Sequence, residues 1–146
     1  MITWELKYYN ELSSDLLYLI LKIRQEVFII EQKCNYLDAD NLDQFSKHLI
    51  GFKDDKIVAY MRIVDSNKLY EHVSFGRILV VKEYRGIGLG MGLMNQALRM
   101  ISVPGDSIIM SAQSYLIDFY KKFDFNTIGE EYLEDNIPHV KMIRNG

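Results

Sequence analysis

In the stretch SFGRILVVKEYRGIGLGMGLMNQ, residues 74–96, an apolar run over 75–81 gives way to a short charged turn and then to Gly86, Gly88, Gly90 and Gly92. The glycines alternate with apolar residues and lead into a helical pattern, so the stretch reads as a strand feeding a glycine-rich turn at a helix N-terminus. Glycine reaches backbone conformations closed to other residues and lets another molecule approach main-chain N–H groups closely. The first turn of a helix leaves such N–H groups unpaired, with the positive end of the helix dipole behind them, and phosphate is their natural occupant. Arg85 adds a fixed positive charge at the mouth. A turn that only packs a helix against a strand would gain nothing from four glycines, each of which weakens a helix by about 1 kcal/mol.

Spacing decides which phosphate ligand fits. No four-residue gap followed by Gly-Lys-Ser/Thr is present, which argues against a nucleotide P-loop. A dinucleotide fingerprint fails as well, because its third glycine would fall at Met91 or at Leu93. What remains is Arg85-x-x-Gly88-x-Gly90, preceded by Ile78-Leu79-Val80. This resembles the acetyl-CoA-binding motif of the GNAT superfamily of N-acetyltransferases, Gln/Arg-x-x-Gly-x-Gly/Ala after a strand.

The 146 residues read as one domain over 1–146, with 49% hydrophobic residues and no linker-like segment. The net charge of −3, from 17 basic and 20 acidic side chains, points away from a nucleic-acid or anionic-membrane surface and is compatible with an acidic cleft for a cationic amine. The one cysteine, Cys34, excludes an internal disulfide and a multi-cysteine zinc site. The N-terminus has no signal-like leader, and the apolar segment 16–30 is interrupted by Lys22, Arg24, Gln25 and Glu26. A cytoplasmic protein is expected.

Along the chain, residues 2–8 read as a strand, and Ser13, Ser14 or Asp15 caps a following helix. Leu16, Ile20, Ile23, Val27 and Ile30 recur at helical steps and predict its buried face. The acidic segment EQKCNYLDADNLDQFS, residues 31–46, reads as an irregular loop. Its Asp38, Asp40 and Asp43 invite calcium, but an EF-hand template fails at Asp43, where it needs glycine, and at Leu49, where it needs glutamate. Solvated charges or helix caps are the preferred reading, and any carboxylates facing a cleft would favour a cationic acceptor. No metal is expected.

A hairpin over 48–52 and 57–64, a strand over 73–81 and a helix from about 88 to 101 follow, with Pro104-Gly105-Asp106 ending that helix. Then come a buried strand over 108–112, a helix over 115–123, a strand over 125–128, a polar connection over 130–136 and a last strand over 139–143. The expected fold is mixed α/β with a central, mostly antiparallel sheet, in the element order of the GNAT acyl-CoA N-acyltransferase fold.

The segment QSYLIDFYKKFDF, residues 113–125, resembles the second GNAT signature, a strand followed by Asn-x-x-Ala-x-x-x-Tyr and a Gly-Phe step. The resemblance places Tyr120 at the tyrosine that donates to the departing thiolate, Gln113 where asparagine is usual and Asp124 in place of the glycine. Aspartate tolerates a left-handed turn better than most residues, so the turn survives. The resemblance further implies acetyl-CoA as cosubstrate, its pantetheine arm on the main chain of Ile78, Leu79 and Val80. Its pyrophosphate would lie on Arg85, Gly86, Ile87, Gly88, Leu89, Gly90 and Met91, with Gln113 and Tyr120 completing the cosubstrate site. An amine then attacks the thioester directly. Glu31, His48, His139 and Glu131 are the candidate bases; His139 is favoured because it lies on the last strand, which in this superfamily borders the acceptor site, and histidine changes charge near neutral pH.

VFIIEQ at 27–32, Tyr36 with Asp38, Asp40 and Asp43, His48, the Gly86 turn, AQSYLIDFY and LEDNIPHVKM together resemble the ElaA-type GNAT acyltransferases over nearly the whole chain. The acceptor this implies is a small-molecule or peptide amine, and many relatives pair into homodimers. Two alternatives remain beside it. Arg24-x-x-Val27-Phe28 resembles autoinducer synthases, which are also acyltransferases, and a GNAT-like module can bind CoA as a regulatory ligand without catalysis.

Overall fold

A computed structural model describes residues 1–101 and 105–146. Seven strands form one sheet in the order β1-β2-β3-β4-β5-β7-β6: β1 Thr3–Tyr8, β2 Ser46–Lys53, β3 Lys56–Val64, β4 Val73–Val80, β5 Ile108–Gln113, β6 Asn126–Glu134 and β7 Ile137–Arg144. All neighbours are antiparallel except β4 and β5. Both short hairpin connections place two non-glycine residues at positive φ, Asp54-Asp55 and Asp135-Asn136, a turn whose twist suits the flanking strands. Asp124 is left-handed as expected, with φ 66°.

The sheet is covered on both faces, which is why β3 is apolar along nearly its whole length. On one face α1, Ser14–Arg24, buries Ile20 and Ile23 against Ile50, Tyr60 and Leu79. On the other, α2, Leu89–Ile101, and α3, Ile117–Lys121, pack Leu93, Met94 and Tyr120 against Leu49, Met61, Phe75 and Met110. Ser13 caps α1 by accepting from the Leu16 N–H. Of the expected stop of α2, Pro104 lies outside the described residues.

The structure corrects three expectations. Ile30 is exposed rather than buried, because α1 runs into a π-helical segment, Gln25–Glu31, whose wider turns shift the phase and bring Phe28 inward instead. The polar connection expected over 130–136 is largely strand: β6 reaches Glu134, with a bulge between Ile128 and Tyr132. The three aspartates of the acidic loop are not the free, solvated carboxylates expected.

In that loop Asp38 and Asp43 are buried, and with Asp40 they face three arginines from three elements. Arg24 of α1, wholly buried, donates to Asp38 at 2.8 Å and to Asp43 at 2.7 Å. Arg62 of β3 donates to Asp40 at 2.7 Å and to Asp43 at 3.0 Å. Arg77 of β4 donates to Asp38 at 2.7 Å. Burial works against the charge of Asp43, but Arg24 and Arg62 outweigh it and hold its carboxyl below the usual range; Arg62 and Arg77 do the same for Asp40.

His48 closes this cluster from β2. Its Nε2–H donates to the Asp43 carbonyl at 3.0 Å and its Nδ1 accepts from the Tyr60 hydroxyl at 2.7 Å, a tautomer assigned from these partners. The ring has no exposed surface, and burial pushes its pKa down.

A pH dependence of stability follows. His48, Asp40 and Asp43 all have folded pKa values below their unfolded ones, so within each window the unfolded chain binds more protons and stability falls as pH falls. Urea midpoints should therefore start to drop below about pH 6.5, the ordinary histidine value, and drop further below about pH 4 as the aspartates protonate. His48→Gln should remove the first decline and keep the second. A wild-type midpoint unchanged between pH 7 and pH 5 would show that His48 is not held neutral.

Candidate active site

β4 and β5 pair only over Val73–Ile108, Ser74–Ile109 and Phe75–Met110, although β4 runs on to Val80 and β5 to Gln113. Beyond that point the strands part. The cause lies in β4, where Arg77 and Ile78 together oppose the one residue between Tyr60 and Arg62 of β3. This is a β-bulge, and Arg77 takes φ 49° in it. A bulge bends its strand and increases its twist. It turns β4 away from β5 and leaves main-chain N–H and C=O groups on the facing edges without a strand partner.

The parted strands open on a cavity of about 390 Å³. Ile78, Gln113, Tyr120 and His139, four of the residues singled out in the sequence, line it together. Tyr120 is only 5% exposed, and its hydroxyl has no hydrogen-bond partner among the described residues. Burial raises its pKa, so the phenol keeps its proton at neutral pH. Gln113 and His139 are register partners across β5 and β7. Nδ1 of His139 donates to the Ile137 carbonyl at 2.7 Å, which leaves Nε2 as the acceptor, 3.4 Å from Glu134 Oε2. The ring stacks on Tyr132, whose hydroxyl bonds Ser111.

At the outer end of β4 the glycines divide into two roles. Gly86 and Gly88 have φ of 83° and 87°, and a Cβ on either would meet open space, so they are there for conformation and for access from outside. Gly92 serves packing: a Cβ on it would stand 3.2 Å from the Trp4 ring, which lies also against Gly51 of β2, whereas a Cβ on Gly90 would make only an ordinary contact with Phe119 at 3.5 Å. No backbone turn or side chain bonds the N–H groups of residues 86–91 among the described residues. They stand at the N-terminus of α2, where unpaired N–H groups and the helix dipole favour negative charge. Ile87 and Met91 are exposed and Leu89 is buried.

The other expected site residues lie elsewhere. Arg85 does not stand free at the mouth: it pairs with Glu31, Nη2 to Oε1 at 3.0 Å, and its Nε donates to the Val80 carbonyl. The Arg85 guanidinium lowers the Glu31 pKa, which suits an ion-pair partner and not a base. His48 is enclosed in the ion network, Glu131 is exposed on β6 and Leu79 packs against the α1 face; none of them lines the cavity. Arg24 of the Arg24-x-x-Val27-Phe28 motif is sealed in that network, whereas Phe28 reaches the cavity.

Sequence reasoning gave no site role to Arg62, Arg77 and Ser111, nor to Tyr36 and Glu134, which it met only within the ElaA-type resemblance; all five line the cavity. One signal was there: an arginine within the apolar strand KIVAYMRIV has to find carboxylates inside the fold. Among the described residues no group of three or more His, Cys, Asp or Glu side chains is placed to hold a metal ion, and no helix is long and apolar enough to cross a membrane.

A mostly antiparallel sheet whose one parallel pair parts over a cavity is the architecture of the GNAT acyltransferases. The acetyltransferase (GNAT) domain matches residues 22–145, and the chain belongs to that family. Within the family it groups with the ElaA-type proteins: it is 38% identical to protein ElaA of Escherichia coli, over 99% of this chain and 97% of that protein. The crystal structure of Escherichia coli ElaA superposes with a TM-score of 0.92, covering 99% of this chain and 100% of that one. An acyl-CoA N-acyltransferase from Pseudomonas aeruginosa, 35% identical, superposes at 0.89 over 97% of this chain and 99% of that one. A CoA-dependent acyl-homoserine lactone synthase, 15% identical with a TM-score of 0.81 over 99% of this chain and 83% of that one, shares the fold alone.

Proposed function

We propose that this protein is a cytoplasmic N-acetyltransferase that moves the acetyl group of acetyl-CoA to a primary amine. One observation carries the reading: β4, parted from β5, runs from a cavity lined by both Tyr120, with its free hydroxyl, and His139 toward the turn whose N–H groups at residues 86–91 are unpaired. The buried, unpaired Cys34 fits a reducing compartment. The thioester supplies the activated acyl group.

The main chain of Ile78, Leu79 and Val80 pairs with the amides of the pantetheine arm as an added strand would, beside Gln113. The N–H groups from Gly86 to Met91 hold the pyrophosphate, and Arg85, already shared with Glu31, adds only part of its charge. In the cavity, His139 Nε2 takes the first proton of the acceptor ammonium and passes it to solvent. The freed nitrogen bonds to the acyl carbon as the C–S bond breaks. Tyr120 gives its proton to the departing sulfur and regains one from the new amide nitrogen.

Tyr120→Phe separates catalysis from binding. The variant loses a hydroxyl that bonds nothing in the protein, so the fold and the acetyl-CoA affinity should hold, while kcat with a good amine should fall by roughly a hundredfold. An unchanged kcat would remove Tyr120 as the acid. Undiminished binding with no transfer by wild type to any of a broad set of amines would favour a regulatory CoA-binding module.

Isothermal titration with acetyl-CoA tests the cradle. Wild type should bind at micromolar Kd, and Gly88→Glu, which puts a side chain at positive φ and a carboxylate before the N–H groups, should abolish binding while circular dichroism stays native. Equal affinity in the two proteins would leave the turn purely structural.

A further inference from the structure

The cavity carries charge that this chemistry does not use. Its lining includes Arg62, Arg77 and Asp40, which pair with one another, and Glu134 and Asp135 from the end of β6 and the turn after it. Both arginines are already neutralised, Arg62 by Asp40 and Asp43 and Arg77 by Asp38. Glu134 and Asp135 have no Lys or Arg within ion-pair distance among the described residues; the one ionisable partner of Glu134 is His139. The unbalanced charge in the lining is therefore negative, and it sits at the β6–β7 turn, beside the histidine.

The hydrogen bonds at this place lack a donor. With Nδ1 of His139 committed to the Ile137 carbonyl, the Nε2 lone pair and Glu134 Oε2 face each other at 3.4 Å, two acceptors with nothing to share. Ser111 donates to the other oxygen of Glu134 at 3.3 Å, which fixes the carboxylate. Tyr120, a buried residue on the same cavity, also has an unpartnered hydroxyl among the described residues. An ammonium, with three N–H bonds, satisfies Nε2 and Oε2 at once and brings its nitrogen to the base.

We propose that Glu134 and Asp135 select the acceptor, a cationic alkylamine with no carboxylate on its chain, whose ammonium lies between Glu134 and His139. The inference rests on the transferase reading and adds the substrate class. An acceptor carrying its own carboxylate would set it against Glu134 and Asp135, with no free arginine to receive it. Glu134 positions the ammonium; the proton goes to His139 and the new bond forms as described above.

Putrescine and ornithine differ by one carboxylate and make the test. Release of free thiol from saturating acetyl-CoA is followed with each amine for the wild-type chain, Glu134→Gln, Asp135→Asn and the double variant. Asparagine accepts the positive φ of position 135, so the turn is kept. Wild type should prefer putrescine by about tenfold or more in kcat/KM, because opposed like charges are penalised by more than the energy of a factor of ten. Glu134→Gln should raise the putrescine KM about tenfold with a smaller change in kcat, and the double variant should bring the two amines close to parity.

Ornithine used as well as putrescine by wild type, or a preference untouched in the double variant, overturns the inference. Calorimetric binding of acetyl-CoA to the same samples tells the two readings apart. If acetyl-CoA binds and ornithine is acetylated in preference, the acceptor inference falls and the transferase stands. If acetyl-CoA binds and neither amine is acetylated, the acceptor inference falls as well. If acetyl-CoA does not bind, both fall.

Discussion

Arg24, Arg62 and Arg77 come from α1, β3 and β4 and meet Asp38, Asp40 and Asp43 of one connection. Burying so many charges is tolerable only because each guanidinium meets carboxylate oxygens, and Asp38, Asp40 and Asp43 are each shared between two arginines. Removing one member of such a buried set typically destabilises by about 3–5 kcal/mol, whereas a wholly apolar replacement can be as stable. The gain is in placement. A connection with little regular structure is fixed against a helix and two strands, and it becomes one wall of the cavity through Tyr36 and Asp40.

The same network holds the feature that opens the site. Arg77 is the bulged residue of β4, in a left-handed conformation that non-glycine residues seldom adopt, and its guanidinium is anchored on Asp38. The bulge turns β4 from β5 after three paired residues, and a sheet that would otherwise close there leaves two free edges. Gly86 and Gly88 then place unpaired N–H groups at the outer end, while Gly92 lets Trp4 close the packing behind them. Loop, bulge and glycine turn thus form one connected frame around Tyr120 and His139.

The order of strands and helices and the glycine turn at the start of α2 were legible in the sequence because each rests on local pattern, alternation and helical period, whereas Tyr120 was singled out by the resemblance to the GNAT signature. What was not legible depends on partners far along the chain. The acidic loop reads as solvated because its neutralising arginines lie 14 to 39 residues away. Ile30 follows a helical period that the π-helical segment interrupts. Arg85 and Glu31, 54 residues apart, look like two independent site residues and are one ion pair. The parting of β4 from β5 leaves no mark in the sequence, since an apolar strand with a free edge reads the same as one fully paired.

Amide hydrogen exchange with and without acetyl-CoA tests the central claim most directly, that the free edge of β4 and the N–H groups after it receive the acyl donor. Exchange at residues 78–80 and 86–91 should slow markedly on addition of acetyl-CoA, while β1 and the outer part of β6 stay as they were. Protection elsewhere, with those two segments unchanged at saturating acetyl-CoA, would contradict it.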